Sequence, residues 1–215
     1  MPSNATTHFR TLVGYVDQLI TIHGRLQAGR GRRHQQDAIH RAGVVLVIAA
    51  WESYVEKVIL ESLSTIENDA GIGGAVLPGP PVPNWARHAL QARRAEVTQT
   101  VTKFHTPNAA NVRNLLIETL EFNPWPTWVW QAGRRQWNHD EVRRRLNTWV
   151  DVRHSVAHGV PLPSDVPWLN GPQGRPRLTL DLLEECKGFF TYVALRTDDA
   201  LRNHLTNHHG VANPW

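Results

Sequence analysis

The sequence predicts an all-α protein, a helical bundle with two long Pro/Gly-rich loops. Three observations carry this. Apolar residues recur at spacings of three and four along several stretches, the period of one helix face. No run alternates apolar and polar residues long enough for a convincing strand, and no repeat of fixed period is present. Two stretches, AGIGGAVLPGPPVPN (Ala70 to Asn84) and PLPSDVPWLNGPQGRPR (Pro161 to Arg177), hold the residues that break helices and make surface loops.

The first helix is expected over residues 6–28, with Phe9, Leu12, Val13, Val16, Leu19, Ile20, Ile22 and Leu26 on its apolar side. GRGRRHQQD (Gly29 to Asp37) is a basic break. A second helix, from about His34 to Asn68, is apolar almost all round between Val44 and Tyr54, which suits the central helix of a bundle. Residues 84–104 form a third, weakly amphipathic and basic. A short fourth starts near Pro107 or Asn108 and reaches Leu120. NPWPTWVWQAGRRQW (Asn123 to Trp137) is expected as loop, its tryptophans folded over the core, although such rings also stack on nucleic-acid bases. Asn138 can cap the next helix, with Glu141 as its capping-box partner. That helix should run to about Ala157. Gly159 fits the left-handed position after it, and Pro161 forbids continuation. The last helix starts at Thr179 or Asp181 and reaches roughly Leu205, followed by a frayed tail, TNHHGVANPW. All of this fits one domain over 1–215, with a core at about 10–205.

Composition narrows the function. Apolar residues make up 41% and charged residues 20%, an ordinary globular balance. A single cysteine, Cys186, rules out a disulfide framework or a cysteine zinc cluster within the chain. It points to a reducing, cytoplasmic setting. No signal peptide is expected, and AGVVLVIAAW (Ala42 to Trp51) is too short to span a bilayer, so no membrane role is expected. The net charge is +4, and lysine appears only at Lys57, Lys103 and Lys187, so the remaining basic residues are arginines. Arginine binds phosphate as a planar fork, which leans toward an anionic partner. For most of these arginines individually, a general preference for arginine over lysine is the better reading.

The stretch RHSVAHG (Arg153 to Gly159) carries the chemistry. With each residue advancing about 100°, Val142, Leu146, Trp149, Val150, Val156 and Ala157 fall in one stripe, and Arg153 lies near its middle. A guanidinium there needs an acidic partner inside the fold, or a stripe that opens into a cleft or subunit interface. Glu52 and Glu56, in the second helix, are the candidate partners; both on that helix's wet side is an equally good reading. His154 and His158 share a face, whereas His158 projects roughly 140° away from Arg153. The two act together only if the helix ends or distorts between them, or if a second copy supplies the other half.

RHSVAHG resembles the R-x4-6-H signature of the HEPN superfamily, with His154 in the polar slot after the arginine. VVLVIAAWESYVEKVILE, FHTPNAANVRNLLIETLEF, VRRRLNTWVDVRHSVAHG and LTLDLLEECKGFFTYVALRTDDALRNHL are similar to the RiboL-PSP-type branch, so the likeness covers roughly residues 10–205. It implies a HEPN-like bundle that dimerises with motifs from two protomers in one cleft. It also implies a metal-independent endoribonuclease, in which the ribose 2′-OH attacks phosphorus to leave a 2′,3′-cyclic phosphate and a 5′-OH. In that scheme His158 transfers protons, Arg153 holds the phosphate, and His154 orients the phosphate or water or assists as a second acid/base. RNA as substrate, a homodimer, and an antitoxin or regulatory protein as partner go with a toxin or anti-phage effector. The alternative is a catalytically silent module that binds RNA or a protein partner.

Other constellations carry less. His154 and His158 have zinc spacing on a helix, but no third ligand is evident and Ser155 stands where a metalloprotease would have Glu. HLTNHHG offers His204, His208 and His209 in a tail expected to be solvated; a structural or adventitious metal is the sharper but less favoured reading. GIGG (Gly71 to Gly74) lacks the lysine of a phosphate loop, and Cys186 reads as a small core residue. No metal and no cofactor are expected.

Overall fold

The computed structural model describes residues 1–25, 36–69, 84–132, 135–171 and 174–215. Six helices make up the described part: α1 (Asn4–Arg25), α2 (Asp37–Asp69), α3 (Asn84–Thr102), α4 (Ala109–Leu120), α5 (His139–Ala157) and α6 (Leu180–His209). The expected all-α bundle is what the chain forms. The basic break at 29–35 and the first Pro/Gly loop at 70–83 lie outside the described residues.

The 33-residue α2 is the axis of the bundle, about 50 Å long at 1.5 Å per residue. It touches α1, α3, α4, α5 and α6. Val44, Val47, Ile48, Trp51, Tyr54, Val55, Val58 and Ile59 on it are fully buried. Residues buried on all sides need no polar face, which is why its sequence is apolar almost all round. Gly43 lets α6 approach closely: a Cβ there would lie 2.6 Å from Leu183 Cδ1. Trp51 ties the axis to the turn before α4. Its indole N–H donates to the Pro107 carbonyl at 3.1 Å, and its rings meet Tyr54, Trp128 and Phe190.

Carboxylates from two neighbours anchor the N-terminus of α1. Glu61 accepts from the backbone N–H groups of Asn4 and Ala5 at 2.8 Å, where helix N–H groups lack intrahelical partners. Buried Asp198 accepts from the Ser3 backbone at 3.2 Å and from its hydroxyl. On α1, Phe9, Val13 and Val16 are buried as expected, but Ile22 is exposed and His23 is buried in its place, bonded to Gln36.

Three expectations are corrected. The tryptophan segment is not plain loop. A 3-10 turn (Trp125–Thr127) leads into a hairpin, β1 (Trp130–Ala132) and β2 (Arg135–Trp137), antiparallel with Trp130 opposite Trp137. Three-residue strands are too short for alternation to register. They hold because Trp130 lies against Trp137, Phe189 and Tyr192, with ring centroids 4.3 to 6.1 Å apart. The core reading of these tryptophans stands for Trp128, which is 1% exposed and donates to Thr197 Oγ1.

The tail expected to fray is ordered further than Leu205. α6 continues through His209, Gly210 takes φ 73°, and Val211 is 2% exposed with its N–H on the Leu205 carbonyl. A left-handed glycine followed by a buried apolar residue is a helix stop, so the helix ends where that pair sits. The third correction concerns the second Pro/Gly stretch. It is not a solvated loop throughout, because it buries Leu162 and Leu169, with Leu178 just beyond it, and sets Trp168 against Trp149. Cys186 is a fully buried core thiol, and burial pushes its ionisation far up. Among the described residues no helix is long and apolar enough to cross a membrane.

Candidate active site at the end of α5

Both ends of α5 follow local sequence chemistry. Asn138 accepts from the Glu141 backbone N–H at 3.0 Å, and the Glu141 carboxylate accepts from the Asn138 N–H at 2.8 Å, completing the capping box. Asn138→Ala is expected to cost about 1 kcal/mol, a fall in thermal midpoint of roughly 2–4 °C for a chain of this size, measurable by a circular-dichroism melt. At the other end His158 is the last half-helical residue and Gly159 takes φ 66°. The Gly159 N–H reaches the Val156 carbonyl and the Val160 N–H reaches the Ser155 carbonyl at 3.0 Å. That paired 5→2 and 6→1 pattern is a Schellman stop. It places the motif at a helix end with the side chains of His154 and His158 both exposed.

Arg153 pairs with Glu52, its Nη2 3.7 Å from Glu52 Oε2. The separation exceeds a hydrogen bond, so the attraction is that of charges across a short gap. The Arg153 side chain is 28% exposed and its Nε is buried without a hydrogen-bond partner among the described residues. The helical-wheel expectation is therefore half right. Arg153 does leave the wet face and does find an acid, but it lies at the edge of the buried surface, not in its middle. The buried face swings toward the C-terminus of the helix. Val152 and Ser155 are buried while Ala157 is exposed, so the buried face departs from the apolar stripe of the sequence.

Of the two candidate acids only Glu52 makes the pair. Burial pushes its carboxyl above the usual range, the Arg153 guanidinium holds it down, and Glu56 and His105 act in opposite directions behind them. Glu56 is also pushed up by burial, and His105 is the first group that draws it back. His105 was not anticipated. It reaches this acidic pair from the turn between α3 and α4 and, with Lys103, also lines a cleft of about 330 Å³. No local pattern in the sequence marks it, since its position depends on how α3 and α4 pack on α2. Asp151 is a second unanticipated neighbour: burial raises its carboxyl, and His154 draws it down.

His154 and His158 are brought together, ring centroids 4.3 Å apart. Among the described residues neither a hydrogen bond nor a ring contact joins Arg153 to His158. On α5, Arg143, Asn147, His154 and His158 fall within roughly 60° of one another, a single stripe. Its far end, about 16 Å along the helix from His154, borders a cleft of about 480 Å³ lined by Trp125, Arg143, Arg144 and Asn147. The Arg143 guanidinium lies 3.8 Å from the Trp125 ring centroid, a cation–π contact that holds it flat. The stripe thus runs from two imidazoles to the Arg143 guanidinium, with Arg144 beside it on the cleft wall.

The RiboL-PSP-HEPN family model matches residues 10–203. Neither the curated proteins nor the solved structures give a match. The matched span holds all but the ends of the bundle and includes Arg153, His154 and His158, and on that basis the chain belongs to the RiboL-PSP-HEPN family.

Proposed function

We propose that the protein is a metal-independent endoribonuclease that works as a homodimer. His158 accepts the 2′-OH proton as the 2′ oxygen bonds to phosphorus. The P–O5′ bond breaks, and a proton passes to the departing 5′ oxygen. Arg153 meets the charge that grows on the non-bridging oxygens, and His154 orients the phosphate or supplies the second proton transfer. The requirement for a 2′-OH limits the substrate to RNA. One observation carries the reading: at a glycine-terminated helix end, two exposed imidazoles stand together, and the arginine beside them is held at the surface's edge by Glu52. Arg153 and His158 diverge within one chain, which favours a site completed by a second copy. Arg143 and Arg144 would hold the strand further along α5. Unchecked cleavage of host RNA fits a toxin or anti-phage effector restrained by an antitoxin or other regulatory protein.

The test is incubation of tag-free protein with RNA in excess EDTA. Expected products carry 2′,3′-cyclic phosphate and 5′-OH ends, and a single 2′-deoxy substitution at the cut position blocks cleavage. Arg153→Ala should slow the reaction by about 10²–10³-fold, as loss of an oxyanion-stabilising group does. Undiminished cleavage in Arg153→Ala and His158→Ala would remove this site from the chemistry. No cleavage of any RNA at several concentrations would favour the silent module that binds RNA or a protein partner.

A further inference from the structure

We infer that the end of α6 carries a binding site for a divalent transition metal of the zinc class, formed by His204, His208 and His209 with Glu121 as the fourth ligand. It shares no residue with the α5 site. Among the described residues these three histidines converge so that one ring nitrogen from each lies within 4.8 Å of the others. The rings are packed at 4.8 to 5.2 Å between centroids. Two nitrogens bound to one zinc at 2.0–2.1 Å are about 3.4 Å apart in a tetrahedron. Closing onto an ion therefore asks for little more than 1 Å of ring movement, within the swing of side chains on a last helical turn.

The surroundings favour a cation independently of the rings. His204 Nε2 and His209 Nε2 both lie on the Leu120 carbonyl, at 2.9 and 3.3 Å, and His208 Nε2 lies 3.1 Å from Glu121 Oε2. Leu120 is the last residue of α4 and His209 the last of α6, so two helix C-termini meet at this corner. Each brings the negative end of its dipole. Glu121, at φ 56°, is the non-glycine residue with positive φ among those described. Glycine or asparagine is the usual occupant of that left-handed position, and here it holds a carboxylate against the histidines. Three imidazoles, a carboxylate and two helix ends make a donor set suited to zinc and unsuited to calcium or magnesium. Bound metal would clip the end of α4 to the end of α6.

The full chain, purified without a polyhistidine tag, is titrated with ZnCl₂, and with CoCl₂ to read visible absorption. The expected result is one ion per chain, a dissociation constant at or below about 10 μM, the absorption of tetrahedral cobalt, and a thermal midpoint that rises with zinc. The H208Q/H209Q double variant should weaken binding at least tenfold and abolish that rise, while H154Q/H158Q should change neither. Should the double variant misfold, Glu121→Gln, at an exposed side chain, should still weaken binding severalfold. Affinity unchanged in H208Q/H209Q and in Glu121→Gln, or lost in H154Q/H158Q, overturns the assignment.

Discussion

His158→Ala is expected to lower RNA cleavage by about 10²–10⁴-fold, the range that a positioned proton-transfer group contributes, with little change in thermal midpoint. The two effects separate because of where the residue sits. Its backbone closes the last turn through the His154 carbonyl, and alanine keeps that bond. Its side chain is exposed and meets the His154 ring. Initial rates on an end-labelled RNA, beside a melt of the same preparation, measure both. A second arm tests the composite site. If Arg153 of one copy works with His158 of the other, Arg153→Ala and His158→Ala each remove both sites of their own dimer. Mixed by co-expression, half the dimers are hybrids and each hybrid keeps one intact site, so about a quarter of wild-type activity should return. No recovery on mixing would place both residues in the same chain's site, and an unaltered rate in His158→Ala alone would take it out of the reaction.

How much of this was legible follows from the range of the interactions. The ends of α5 read directly, because a capping box and a glycine stop are each decided within a few neighbouring residues. Arg153 on the apolar side read from helical geometry alone. Its place at the edge of the buried face did not, because that edge is set by tertiary packing, which buries Val152 and Ser155 and leaves Ala157 exposed. Glu52 and Glu56 are only about 40° apart on α2, too close for periodicity to choose between them. Packing of α5 on α2 makes the choice, and it falls on Glu52. His105 enters from a turn whose position is purely tertiary. The HLTNHHG segment misled for a local reason: its polar residues suggest a solvated tail, but Gly210 and buried Val211 extend the helix and gather the histidines at Leu120.

Trp51→Ala is expected to be the most destabilising single change in the bundle, at about 3–5 kcal/mol, against a total of roughly 5–15 kcal/mol for a domain. The side chain is 0% exposed at the middle of the central helix, among Tyr54, Trp128 and Phe190. Alanine leaves a cavity that several elements would have to move together to fill. It also strands the Pro107 carbonyl, which accepts from the indole at 3.1 Å. Urea unfolding should show the loss as a lower midpoint with an unchanged slope, and the thermal midpoint should fall by roughly 10 °C or more. Trp51→Phe keeps most of the volume but not the donor, so it should recover most of the stability and leave the Pro107 bond as the remainder. The consequence reaches the site, because Trp51 adjoins Glu52 and its bond to Pro107 fixes the turn that carries His105. At a temperature where Trp51→Phe is still folded, its cleavage rate should fall by more than the folded fraction accounts for. A loss below about 1 kcal/mol in Trp51→Ala would mean that the core closes around the gap and that the turn is held by other contacts.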